Sequence, residues 1–177
     1  MVEKKAKKSP KISSQSGERI AFYAGSFDPL TWGHIEVIKR SLSVFDRVVV
    51  GVGKSSSKIA LFSPEERMAF IESACQKLKD KVQVCLVQNL SVDAAINIGA
   101  CAMVRGLRSE TDFAYEMPMA LANRKLHPQL ETVFFPTDPA YCYISSSIVR
   151  EIASYGGNIS SMVPPEVAKA LGKKFKS

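Results

Sequence analysis

The chemistry of this chain starts in the stretch Tyr23 to His34, which reads Y-A-G-S-F-D-P-L-T-W-G-H. A short apolar run, Ile20 to Ala24, precedes the turn and has the length and residue types of a buried strand. Ile35, Ile38, Leu42 and Phe45 follow at helical spacing. The turn therefore joins a strand to a helix, and His34 falls in that helix's first turn. Unpaired amides and the positive dipole end favour phosphate there, and an imidazole beside them adds another donor. Gly25 allows close approach or a sharp turn, and Pro29 fixes a bend. Taken alone, the same residues also describe an ordinary connection whose histidine caps the helix.

More phosphate-directed groups recur down the chain. Arg105 and Arg108 bracket Gly106 after the apolar run Ala102 to Val104, and guanidinium forks suit phosphate oxygens. Ser145, Ser146 and Ser147 head another amphipathic stretch carrying Ile148, Ile152 and Tyr155; such a row is either a helix cap or a polyphosphate cradle. Lys58 stands in the serine-rich segment 53–58, and Leu90-Ser91 follows the run Val82 to Val87.

These groups need elements to hold them. Val48 to Val52 reads as a central strand, Val82 to Val87 as a third, Ala102 to Val104 as a fourth and Glu131 to Phe135 as a fifth. Between them, Ser63-Pro64-Glu65-Glu66 opens a helix with a capping box and the stripe Met68, Ile71, Cys75, Leu78. A short helix ends near Gly99, another covers 112–126 with Pro118 interrupting it, and Pro164-Pro165-Glu166 starts the last. Strands alternating with helices imply an α/β fold: one doubly wound domain with a five-stranded parallel sheet covered on both faces. Ligands in such sheets bind at the carboxyl ends of the strands, near the switch in strand order. Each polar motif named above follows the carboxyl end of a strand, so they should converge on one composite site.

At 177 residues with 46% apolar content, the chain is expected to be soluble and globular, with no apolar run long enough for a membrane helix. Cys75, Cys85, Cys101 and Cys142 are scattered, without a C-x-x-C pair, and there are two histidines. That argues against a zinc site and for a reducing, cytoplasmic setting. The net charge is +7, of which residues 1–19 hold +4. Residues 1–18 read as a disordered basic tail ahead of a catalytic domain at 19–177. The modest remaining excess suits a protein that handles several phosphates, and argues against nucleic acid as the partner.

The T-W-G-H ending resembles the (H/T)xGH signature of the nucleotidylyltransferase superfamily. Taken with the lysine ahead of F-S-P-E-E-R, V-R-G-L-R, D-F-A-Y-E-M and Y-I-S-S-S-I-V-R, in this order, the chain resembles bacterial phosphopantetheine adenylyltransferases from about Arg19 to Leu171. The resemblance implies a Rossmann-like fold. It also implies transfer of AMP from ATP to 4′-phosphopantetheine, giving dephospho-coenzyme A and pyrophosphate in the penultimate step of coenzyme A synthesis. By position, Ser26, Lys58, Ser91 and Arg105 would bind the pantetheine substrate. Ser26, Phe27, His34, Gly106, Leu107, Arg108, Glu116 and Tyr141, Cys142, Tyr143, Ile144, Ser145, Ser146 and Ser147 would bind ATP. His34 would stabilise the transition state, with Lys58 beside it.

The attacking phosphate is already ionised, so direct in-line attack without a covalent intermediate needs no general base. Mg²⁺ would travel with ATP, because no cluster of ligands for it is apparent. The family also implies a homohexamer and feedback by coenzyme A. Ser26 stands where many relatives have threonine, and Tyr141 where tryptophan is common. A nicotinamide-mononucleotide adenylyltransferase or a cytidylyltransferase is the alternative within the superfamily. A nucleic-acid-binding module would leave Gly25, His34 and the serine row without a purpose.

Overall fold

The computed structural model describes residues 17–53 and 60–175. Lys58 and residues 1–16 of the tail lie outside the described residues. Glu18, grouped with the tail by sequence, is tied to the folded body through Arg47 Nη1 at 3.0 Å.

The elements run β1 (Ile20–Gly25), α1 (Trp32–Ser41), β2 (Arg47–Gly53), α2 (Pro64–Ala74), β3 (Val82–Val87), α3 (Ser91–Asn97), β4 (Ala102–Leu107), α4 (Glu110–Leu126), β5 (Glu131–Pro136), α5 (Ser146–Ser154) and α6 (Pro165–Phe175). The five strands pair in parallel in the order β3-β2-β1-β4-β5. Strand order therefore reverses beside β1, where a crevice forms between the loops after β1 and β4.

Alternation along β1 explains the two-sided core. Ala21 and Tyr23 face one cluster, which α1, α2, α5 and α6 complete with Ile35, Ile71, Val149 and Leu171. Ile20, Phe22 and Ala24 face the other, which α3 covers with Val92 and Ala95. On that second side Asn123 of α4 is buried and donates to Met103 Sδ of β4. Fully burying side chains of this size contributes roughly 1.5–3 kcal/mol each, which holds the helices against the sheet.

Several boundaries differ from those the sequence suggests. Arg105, Gly106 and Leu107 belong to β4 itself, in register with Phe134, Phe135 and Pro136, so the arginine pair straddles a strand end. Helix α1 stops at Ser41, and Leu42 and Phe45 reach the core from the turn that follows. Cys75 and Leu78 do the same from the segment after α2. In α5 the packed face is Val149 and Ala153, with Ile152 beside them, while Ile148 and Tyr155 are exposed. Pro118 does not break α4, which runs through it for 17 residues; the proline ring deletes one backbone donor.

Candidate active site

His34 is positioned by its own helix start. Thr31 is the N-cap of α1, and the Thr31 N–H donates to His34 Nδ1 at 3.1 Å while the His34 N–H donates back to Thr31 Oγ1 at 3.4 Å. An imidazole nitrogen that accepts from a main-chain amide carries no proton, so the neutral ring holds its proton on Nε2. That N–H is the one left for a ligand. Burial pushes the His34 pKa down to about 4, and the positive charge of Arg108 adds to the effect. The capping role and the phosphate-binding role thus use opposite nitrogens of one ring.

A cleft of about 330 Å³ opens at the carboxyl ends of β1 and β4. Its walls include Ser26, Phe27, His34, Arg105, Gly106, Arg108, Glu116, Ile144, Ser145, Ser146 and Ser147, brought together from the turn after β1, α1, the end of β4, α4 and the start of α5. Leu107, Tyr141, Cys142 and Tyr143 are not among its lining residues; Tyr141 lies against Gly33 at the entrance to α1, and Cys142 and Tyr143 are exposed. Ser91 lies in an adjoining basin of about 410 Å³ with Gly53, Val87, Gln88, Asn89 and Leu90. Ala24, Gly25 and Arg105 line both spaces, so the guanidinium of Arg105 stands where they meet.

Both arginines are held by carboxylates of α4. Arg108 makes a two-pronged contact with Asp112, Nε to Oδ2 at 2.8 Å and Nη2 to Oδ1 at 2.9 Å, and its Nη1 donates to the Ile144 carbonyl at 3.3 Å. Hydrogen bonding from Arg108 holds the Asp112 carboxyl below the usual range. Arg105 pairs with Glu116 at 3.3 Å and donates to the Ala24 carbonyl. Two cations and two anions balance, so anion affinity in the described cleft rests on directed N–H groups more than on net charge. Tyr23 also faces the cleft; burial raises its phenol pKa, which keeps it an un-ionised donor.

The serine row divides its duties. Ser145 is the N-cap of α5, accepting from Ile148 N–H at 3.1 Å, and Ser146 Oγ donates to the Pro29 carbonyl at 2.7 Å. That leaves the Ser147 hydroxyl and the first amides of α5 for a ligand. Gly106 serves packing as well: a Cβ there would sit 2.6 Å from Val37 Cγ2, so the glycine lets α1 close on β4. Gly25 likewise makes room for the Phe27 ring, at 3.0–3.3 Å from a built Cβ.

Sequence reading missed Thr31, Asp112 and Thr137, which also line or set the cleft. Asp112 carried a signal, four residues after Arg108 at a helix start. It also missed Asp28, whose carboxylate accepts from Leu61 and Phe62 amides at 2.8 and 3.0 Å and pairs with Arg150 at 3.4 Å. Among the described residues no three His, Cys, Asp or Glu side chains gather as a metal group. Since Asp112 and Glu116 are committed to arginines, this donor set does not fit a divalent ion held by protein alone.

A parallel sheet with a phosphate-directed cleft at its switch point is the arrangement of a nucleotidyltransferase, and residues 22–152 match the cytidylyltransferase-like family. The structure superposes with TM-score 0.68 on a Francisella tularensis bifunctional NMN adenylyltransferase/ADP ribose pyrophosphatase, at 17% identity over 90% of this chain and 50% of that one, which speaks to the fold alone. Sequence relatives are nearer. Phosphopantetheine adenylyltransferases from Thermotoga neapolitana and Desulforudis audaxviator are 46% and 50% identical over 89% of this chain and 97% and 96% of theirs. The chain belongs to the phosphopantetheine adenylyltransferase family.

Proposed function

We propose that the protein transfers AMP from ATP to 4′-phosphopantetheine, yielding dephospho-coenzyme A and pyrophosphate. The observation that carries this reading is the pair of adjoining basins that share Arg105. ATP takes the cleft lined by His34, Arg108 and the start of α5; the phosphorylated pantetheine arm takes the basin of Ser91, with its phosphate turned toward Arg105.

An oxygen of the acceptor phosphate attacks the α-phosphorus in line, the bond to the β-phosphate bridging oxygen breaks, and pyrophosphate leaves with the electron pair. The His34 Nε2–H donates to a non-bridging α-oxygen as charge spreads in the transition state. Arg108, held flat by Asp112, and the α5 amides with Ser147 steady the β- and γ-phosphates. Lys58, outside the described residues, is assigned to the incoming phosphate, with Ser26 at the junction. Glu116 acts through Arg105, and the segment Tyr141 to Ile144 borders the adenine side, with Gly106 and Leu107 contributing backbone. Mg²⁺, carried by the triphosphate rather than by the protein, would neutralise part of its charge.

The exposed Phe113, Tyr115, Met119, Leu121 and Leu126 of α4 support assembly into a homohexamer. Feedback by coenzyme A follows from its sharing the pantetheine arm and adenylate of the product. No described helix is long and apolar enough to cross a membrane, and a cytoplasmic location suits the substrates. Pyrophosphate release with an acceptor panel tests the assignment. Turnover with 4′-phosphopantetheine and none with nicotinamide mononucleotide is expected; the reverse selectivity overturns it.

A further inference from the structure

The largest fully buried side chain is a charged one. Arg67, on α2, is 1% exposed and donates to three main-chain carbonyls: Nη1 to Ser26 at 2.6 Å and to Gly53 at 2.9 Å, and Nε to Ser63 at 3.4 Å. Among the described residues it has no carboxylate partner within ion-pair distance. Burying a guanidinium without a counter-ion is costly, and a packed apolar side chain would serve stability as well or better.

Its acceptors explain what it does. Ser26 lines the nucleotide cleft and Gly53 the adjoining basin, so one nitrogen grips the lips of both. The Ser26–Phe27 peptide is trans, which sets its C=O and N–H on opposite sides. Arg67 draws the Ser26 carbonyl toward α2, and in a trans peptide that turns the Phe27 N–H away from α2. Phe27 holds φ at 49°, a left-handed conformation that a non-glycine residue keeps where its surroundings enforce it.

We infer that Arg67 is a positioning residue for the transfer: it locks the Ser26–Phe27 peptide with its amide facing the phosphates and fixes the Gly53 lip of the acceptor basin against the same point. It touches neither substrate. This rests on the functional reading given above.

Arg67→Met and Arg67→Lys, with Ile71→Val on the same helix as a packing control, separate geometry from stability. Thermal unfolding gives the folded fraction, and kinetics are taken where all are folded. Per folded molecule, Arg67→Met should lose about 100-fold in kcat/KM for ATP and acceptor alike, the cost of a misplacement near 1 Å. A lysine ammonium falls about one bond short of Nη1 but keeps a charged donor directed at the two carbonyls, so Arg67→Lys should recover roughly ten-fold of that loss. Ile71→Val should keep wild-type constants. Should Arg67→Met not fold, Arg67→Lys decides alone, expected about ten-fold below wild type. Either Arg67 variant with both kcat/KM values within two-fold of wild type overturns the role, as does a loss confined to thermal stability. Wild-type enzyme inactive on ATP and 4′-phosphopantetheine would sink the functional reading instead; calorimetry with ATP alone then judges Arg67, whose role predicts weaker binding by Arg67→Met and is overturned by equal affinity.

Discussion

Acidification tests the His34 geometry quantitatively. The unfolded chain protonates His34 near its ordinary value of 6.5, whereas the folded ring, partly buried and facing Arg108 with Nδ1 occupied by the Thr31 amide, resists until about 4. Because the folded value is depressed, the unfolded state binds more protons between those pH values, and stability falls as pH drops through that window. Two and a half units correspond to about 3 kcal/mol in full, of which about 2 kcal/mol is lost by pH 5. Urea unfolding of wild type and His34→Asn from pH 7.5 to 4.5 isolates this contribution. The wild type should lose about 2 kcal/mol more than the variant between pH 7.5 and 5, and none of that difference should appear above pH 7. In parallel, ¹⁵N-resolved NMR should find the His34 proton on Nε2 and its ring shifts unchanged down to pH 5. Equal slopes for the two proteins, or a His34 titration midpoint near 6.5, would refute the capped, neutral imidazole.

The remaining expectations are simpler to read. His34→Ala should retain ATP affinity by calorimetry and lose turnover by about 10²–10³-fold, the loss of one transition-state donor; equal losses in binding and rate would point to ground-state binding instead. Asp112→Asn removes the charge that holds Arg108 flat, and kcat should fall further than the KM for ATP rises in steady-state assays. Gly106→Ala drives a methyl to 2.6 Å from Val37, so Tm should drop with a cost of about 1–3 kcal/mol, partly restored by Val37→Ala. Ser145→Ala strips the α5 cap and should cost about 1 kcal/mol in chemical denaturation.

The sheet was legible because its strands are continuous runs such as Val48 to Val52, which suit burial on both faces and little else. Convergence of the motifs followed from strand polarity alone, and Ser26, His34, Arg105 and Arg108 do meet at the carboxyl ends. What escaped is what depends on pairing across distance. Nothing local distinguishes Arg67 from a solvated helix arginine, since its acceptors Ser26 and Gly53 are 41 and 14 residues away. The divided roles of the serines were hidden for the same reason: Ser146 answers to Pro29, 117 residues earlier. The packing role of Gly106 was hidden too, because nothing in the sequence places Val37 beside it. Helix register in α5 failed where Ile148 and Val149 compete for one stripe, and the core on that face of the sheet took Val149.

The most direct measurement is a crystal structure with a non-hydrolysable ATP analogue and 4′-phosphopantetheine bound together. It should show the acceptor phosphate beside Arg105, about 3–3.5 Å from the α-phosphorus and opposite the pyrophosphate, with His34 Nε2 on an α-oxygen. Ligands seated in separate basins with the α-phosphate turned away from both His34 and the acceptor would contradict the account.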